Sequence, residues 1–227
     1  MKLHLINSDE LQVPEPSIWG AYLSAAEQQT SQKFRHLDSQ NRYIISRLFC
    51  RTVLAQTLNI SAPEIKLARS ASGKPYLTND ESGLHFNLSH SGPWVALGVS
   101  QCGPLGVDIE YVQKKRPLLK IAEQYFHEQE IAKLKNLSTA QQETEFYRLW
   151  TLKEAFFKAR GTGISEGLNK VSFAHKNHPR APLSMSAAHW HYHYFPPREN
   201  SPPNLHLAAV SSEPEFEWAT HQNLPNL

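Results

Sequence analysis

No apolar run in this 227-residue chain approaches the ~20 residues a membrane-spanning helix needs, so no membrane is expected among its partners. The opening Met1-Lys2-Leu3-His4-Leu5-Ile6-Asn7 lacks the long apolar stretch of a signal peptide and reads as a first strand, which makes the cytoplasm the expected location. Cysteine is scarce. Cys50 and Cys102 form no metal-type pair, and in a reducing compartment both read as free thiols. A large charge of one sign is lacking too: the net charge is +2 with histidine neutral, too weak to point to nucleic acid. The twelve histidines make that charge sensitive to pH around neutrality. What remains, 40% hydrophobic and 19% charged residues, fits a folded chain of one large or two small domains rather than a disordered one.

The element order repeats. A strand is expected over 3–6, helices over 17–26 and 27–36, and a longer helix over 39–58 with Asp38 or Ser39 as its cap. Strands follow over 64–68, 84–88 and 94–99, separated by the turn signals Ser72-Gly73-Lys74-Pro75 and Ser91-Gly92-Pro93. The second half opens with a strand over 106–110, then helices over 118–126 and 128–137 and a long one over 139–160 ended by Gly161 and Gly163. Strands over 170–173, 183–186, 189–195 and 205–210 complete it, and the tail after Glu213 is weakly patterned. The order predicts a pseudo-twofold α+β protein with halves 1–103 and 104–227 around a cleft. One chain supplying both halves predicts a monomer.

Five constellations carry chemistry. In Gly106-Val107-Asp108-Ile109-Glu110 strand alternation puts both acids on one face, where they repel unless a cation lies between them. Such hard oxygen donors suit Mg²⁺; the plainer alternative is two solvated acids at a strand end. In Trp150-Thr151-Leu152-Lys153-Glu154-Ala155-Phe156-Phe157-Lys158, Glu154 and Lys158 share a helix face, as a surface ion pair or as a metal ligand with a lysine one turn on. Gly73-Lys74-Pro75-Tyr76 presents one lysine on a glycine turn. His85-Phe86-Asn87-Leu88-Ser89-His90-Ser91-Gly92 puts hydroxyls and an imidazole at a strand end, either a small anion site or a structural histidine. His189, His191 and His193 alternate on one strand, a pattern for Zn²⁺ or Cu²⁺ or for a half-covered strand.

In that order, Gly-Lys-Pro, Phe-Asn-Leu-Ser-His-Ser-Gly, Gly-Val-Asp-Ile-Glu and Trp-x-x-Lys-Glu-Ala-x-x-Lys resemble the signature set of the Sfp-type 4′-phosphopantetheinyl transferases, over roughly residues 20–175. The resemblance implies that family's pseudo-twofold fold and its reaction. A carrier-protein serine attacks the β-phosphorus of coenzyme A, and adenosine 3′,5′-bisphosphate leaves. It implies Asp108, Glu110 and Glu154 as magnesium ligands and Lys158 as the lysine on the coenzyme A phosphates. It implies Gly73, Lys74 and Pro75 in the nucleotide pocket, Ser89 and His90 at coenzyme A phosphates with His90 at the 3′-phosphate, and Arg42 near the nucleotide. Glu154, directly or through a metal-bound water, would take the serine proton. An acidic carrier-protein domain would dock on Lys114, Lys115 and Arg116 with their apolar neighbours Leu118, Leu119 and Ile121. One departure stands out. Two positions where family members often carry 3′-phosphate lysines fall here on Glu27 and Thr30, with Lys33, Arg35 or Arg42 as substitutes.

Overall fold

A computed structural model describes residues 1–71, 73–78, 81–163, 166–174, 190–197, 204–221 and 223–224. In chain order the elements are β1 (Lys2–Asn7), α1 (Pro16–Tyr22), α2 (Ala25–Gln32), α3 (Leu37–Leu58), β2 (Leu67–Arg69), β3 (Pro75–Leu77), β4 (His85–Ser91), β5 (Trp94–Ser100), β6 (Leu105–Tyr111), α4 (Leu118–Tyr125), α5 (Glu128–Lys135), α6 (Thr139–Arg160), β7 (His191–Phe195), β8 (Leu205–Ser211) and β9 (Glu217–Thr220). The protein is α+β and has two halves.

Local chemistry sets the boundaries. The first two helices separate at Leu23 because Ser24 caps α2 through a capping box with Glu27. Helix α3 begins at Leu37, behind His36, so neither Asp38 nor Ser39 caps it. Helix α6 starts after the capping box of Ser138 and Gln141 and ends at Gly161, whose φ of 74° is the left-handed conformation glycine adopts most readily. Residues 170–173 do not form the expected strand. A 3₁₀ turn, Leu168–Lys170, takes the chain into a segment pinned to α5 and α6. A second 3₁₀ turn, Ala62–Glu64, replaces the start of the strand expected over 64–68. The strand expected over 183–186 lies outside the described residues, as does His189.

Strand alternation builds a four-layer stack. The sheet β4-β5-β1-β9 turns Ile6, Phe86, Val95, Leu97 and Val99 toward α3, where they bury with Ile45, Phe49 and Val53. Its other face sends Leu3 and Ala96 against Val107, Ile109, Leu207 and Ala209 of the sheet β6-β8-β7. That second sheet turns Ala208 and Val210 toward α6, against Ala155 and Phe156. The weakly patterned tail supplies β9, which pairs parallel with β1 and so returns the chain to the first sheet. Cys50 is buried and Cys102 exposed, both as free thiols.

Two close approaches hold the halves and set the site. Asn87, Ser89 and Ser91 alternate along β4, and their side-chain oxygens accept the N–H groups of Val107, Ile109 and Tyr111 at 2.8, 3.4 and 3.0 Å. Side chains thus satisfy the free edge of β6 where a neighbouring strand otherwise would. On the opposite side of β6, α6 lies directly over Gly106. A Cβ there would meet the Ala155 carbonyl oxygen at 2.0 Å and the Ala159 nitrogen at 2.4 Å, both backbone atoms. Gly106→Ala is therefore expected to lift α6 from β6 and lose about 2–3 kcal/mol of stability, read as a lower melting temperature. An unchanged melt would show that α6 does not depend on this contact.

Candidate active site

The face of β6 that carries Gly106 also carries Asp108 and Glu110, so the helix brought close by the glycine meets both acids. Asp108 is buried. Its Oδ1 accepts Lys158 Nζ at 2.6 Å and the Ser89 hydroxyl at 3.1 Å, while Lys158 also donates to Ser89 Oγ at 3.0 Å. Ser89 from one half thus binds Asp108 and Lys158 from the other. Of the two readings of the Glu154–Lys158 spacing, the surface ion pair does not form; Lys158 turns to Asp108 instead. Ser91 donates to Glu110 Oε2 at 3.3 Å.

The acids are only partly relieved. Asp108 Oδ2 is buried with no partner among the described residues. Burial raises the Asp108 pKa against the opposing pull of Lys158 and Ser89. Glu110 is raised by burial and then by the charge of Asp108. Burial, followed by the charge of Asp108 and with a contribution from Glu110, pushes Glu154 up to about 7. Three carboxylates that each resist ionisation form a set of hard oxygen donors that a divalent cation would relieve. Among the described residues no three His, Cys, Asp or Glu side chains close into a ready metal cage, and the Lys158 ammonium is the cation facing Asp108.

Lys158 also belongs to a cavity of ≈ 280 Å³ lined by Arg47, Arg69, Gly73, Lys74, Pro75, Asn87, Leu88, His90, Phe157, Gly161 and Gly163. The structure therefore gathers Gly73, Lys74, Pro75, His90 and Lys158, as expected, although Ser72 of that turn lies outside the described residues. Gly73 holds φ of 82°, and Arg69 braces the turn by donating to its carbonyl at 2.8 Å. Lys74 donates to the Lys158 carbonyl at 2.7 Å, and burial lowers its pKa. Arg42 sits apart, in an adjoining cavity of ≈ 300 Å³ with Phe34, Tyr43, Ser46 and the shared His90. Asp9 takes the Arg42 guanidinium at 2.8 and 2.7 Å.

Arg47 and Arg69 escape a sequence reading. The only trace of Arg47 is an arginine set inside the apolar run of α3, and Arg69 stands four residues before the glycine turn.

Two family models match this chain: the 4′-phosphopantetheinyl transferase superfamily over residues 104–210, and the N-terminal region of 4′-phosphopantetheinyl transferases over 14–102. The 4′-phosphopantetheinyl transferase ffp of Bacillus subtilis is 30% identical over 95% of this chain and 94% of its own length. The chain belongs to the Sfp-type 4′-phosphopantetheinyl transferase family. The transferase is also 28% identical to Sfp of Bacillus subtilis strain 168, over 95% of this chain and 94% of that one. To the 4′-phosphopantetheinyl transferase HetI of a Nostoc species it is 30% identical, over 86% and 83%.

Other candidates in the transferase have structural employment. Glu27 is taken by Arg51 at 2.6 and 3.2 Å, and Thr30 donates to the Ala26 carbonyl at 2.7 Å. Lys33 and Arg35 line neither cavity. His193 packs edge-on against Phe216 at 4.8 Å, and His189 of that pattern lies outside the described residues. The loop Lys114-Lys115-Arg116 is exposed, while Leu118, Leu119 and Ile121 pack partly on the core of the second half. No helix among the described residues is long and apolar enough to cross a membrane.

Proposed function

We propose that the transferase moves the 4′-phosphopantetheine arm of coenzyme A onto a serine of an acyl, peptidyl or aryl carrier protein and releases adenosine 3′,5′-bisphosphate. One observation carries this reading: Lys158 belongs both to the carboxylate cluster and to the cation-lined cavity. A substrate lying in that cavity with its pyrophosphate at Lys158 has its scissile bond beside Asp108. Asp108, Glu110 and Glu154 would hold Mg²⁺, which supplies Lewis-acid stabilisation of phosphoryl oxygens when bound. The orphaned Asp108 Oδ2 and the three raised pKa values fit that assignment.

The serine oxygen forms its bond to the β-phosphorus as the bridging P–O bond breaks, and the nucleotide leaves with the bridging oxygen. Glu154 would accept the serine proton, directly or through a water. Lys158 offsets the charge growing on the phosphoryl oxygens. Lys74 and His90 hold the nucleotide, and Gly73 and Pro75 shape the turn beside it. The part from 1 to 103 serves mainly the nucleotide and the part from 104 to 227 the carboxylates and the carrier, working as a monomer. A direct test follows product release. Adenosine 3′,5′-bisphosphate should appear in step with holo-carrier and only when apo-carrier is present; its release from coenzyme A alone would point to a hydrolase.

The exposed basic loop begins three residues beyond the neighbour of Glu110, just past the end of β6, and is the proposed carrier surface. Reversing Lys114, Lys115 and Arg116 to Glu should raise KM for an acidic carrier about 10-fold or more and leave coenzyme A binding within about twofold. Equal loss of both would place the loop in the nucleotide site instead.

A further inference from the structure

Helix α6 lays one row of side chains along β6. Tyr147, Thr151, Glu154 and Lys158 follow one another at spacings of four, three and four residues, so they share a face. The row runs from the cation-lined cavity, where Lys158 holds Asp108, toward the end of β6 that carries Glu110. Tyr147 stands at that far end. Glu110 pairs across the sheet with His206, whose side chain therefore lies on the same face. The Tyr147 ring stacks on His206 with centroids 5.0 Å apart, and His206 Nδ1 in turn meets the Tyr194 hydroxyl at 2.7 Å. Tyr147 and His206 are each 3% exposed, so the phenol is held on a fixed stem beside Glu110.

Its hydroxyl has no structural employment. Thr151 spends its own on the Tyr147 carbonyl at 2.8 Å, and Ser91 serves Glu110 from the opposite flank. The Tyr147 hydroxyl makes no hydrogen bond among the described residues, yet it is not one of the buried polar atoms left without a partner, so its oxygen opens to solvent. Burial raises the Tyr147 pKa, the charge of Arg116 opposes the shift and that of Glu110 adds to it. The phenol therefore keeps its proton, with a carboxylate on one side and a residue of the exposed basic loop on the other.

We propose that Tyr147 receives the carrier serine, donating its O–H to the serine oxygen as that oxygen attacks. The inference rests on the function proposed above. In-line displacement puts the attacking oxygen opposite the leaving one. With the leaving nucleotide in the cavity at Lys158, the serine comes from the other end of the row, where Tyr147 and the basic loop meet. One lone pair of the serine oxygen forms the bond to phosphorus as the bridging P–O bond breaks, and another takes the Tyr147 O–H. The serine proton passes to Glu154, directly or through a water, and Tyr147 keeps its own.

The test compares wild type, Tyr147→Phe and Tyr194→Phe in the full chain, varying apo carrier, coenzyme A and Mg²⁺ in turn. Tyr147→Phe should lower the single-turnover loading rate about 10- to 100-fold, while KM for coenzyme A and the Mg²⁺ demand stay within about twofold. A carrier whose serine is replaced by alanine should bind wild type and variant equally, because only the contact to the serine hydroxyl is gone. Tyr194→Phe, which frees His206 and loosens the stem, should show the same pattern with a smaller loss. An unchanged loading rate in Tyr147→Phe would overturn the proposal. So would a matching rise in KM for coenzyme A or in Mg²⁺ demand, which would make the hydroxyl a support of Glu110. Weaker binding of the alanine carrier would make it part of the docking surface instead, and a lower melting temperature that accounts for the lost activity would make Tyr147 structural. If the wild type loads no carrier, the transfer reading falls and takes this inference with it; a wild type that loads carrier beside an undiminished Tyr147→Phe sinks the inference alone.

Discussion

Lys153→Ala is expected to lower the stability of the folded protein by about 3–5 kcal/mol, roughly 10 °C in melting temperature for a chain of this size. Lys153 and Glu130 are both 0% exposed and meet at 2.7 Å. The lysine also donates to the Leu168 carbonyl at 2.8 Å and to that of Val171, and its ammonium lies 5.3 Å from the centre of the Phe126 ring. Glu130 in turn accepts the N–H groups of Phe173 and His127 at 2.7 and 3.0 Å. This pair therefore fastens α5 and residues 168–173 to α6. Truncating the lysine leaves a buried carboxylate without its cation and two carbonyls without a donor. Burial lowers the Lys153 pKa, and Glu130 opposes the shift, so the charge persists only while its partner is present. The double variant Lys153→Met with Glu130→Gln should recover part of the loss, since the amide still accepts a backbone N–H. Thermal and denaturant melts read both. A single-variant loss below about 1 kcal/mol would mean that the pair relaxes to solvent.

Glu154→Gln should abolish turnover, by about 10²–10³-fold or more in kcat, while making the metal-free protein more stable. The opposite signs come from one cause. The Glu154 pKa stands at about 7 because burial and the charges of Asp108 and Glu110 resist its ionisation. A carboxylate raised in the folded state costs nothing below its unfolded pKa of about 4.5; the penalty grows from there to pH 7 and is full above it. With a chelator present, Glu154→Gln should thus melt level with wild type near pH 4.5. It should be more stable by about 1–3 kcal/mol at pH 8. A variant that is inactive because it is misfolded would be less stable at every pH.

Much of the fold is legible where local signals agree. Helix α6 runs over the expected residues because Ser138 caps its start and Gly161 ends it. Strand alternation places Asp108 and Glu110 on one face. The failures are short or non-local. Strand β3 has three residues, too few to show a period, and β9 takes its place through Trp218 against Phe195 and through pairing with β1. Adjacent residues of one motif part company for the same reason. Lys153 points into the core and Glu154 toward the acids, a choice made by what packs around α6. Ser89, Asp108 and Lys158 are separated by 19, 50 and 69 positions, so their contact exists only once β4, β6 and α6 are stacked. A side-chain alphabet for metal and phosphate can be read along the chain; the pairing of Arg51 with Glu27 across 24 positions can be seen only in space.

Transfer of phosphopantetheine from coenzyme A to a carrier is the reaction proposed for this arrangement. The most direct measurement is the intact mass of an apo carrier protein after incubation with the wild-type chain, coenzyme A and Mg²⁺. A gain of one phosphopantetheine mass on the serine is expected, lost with EDTA and in Glu154→Ala; no gain on any of several acidic carriers, with the protein folded and coenzyme A bound, would contradict the proposed transfer.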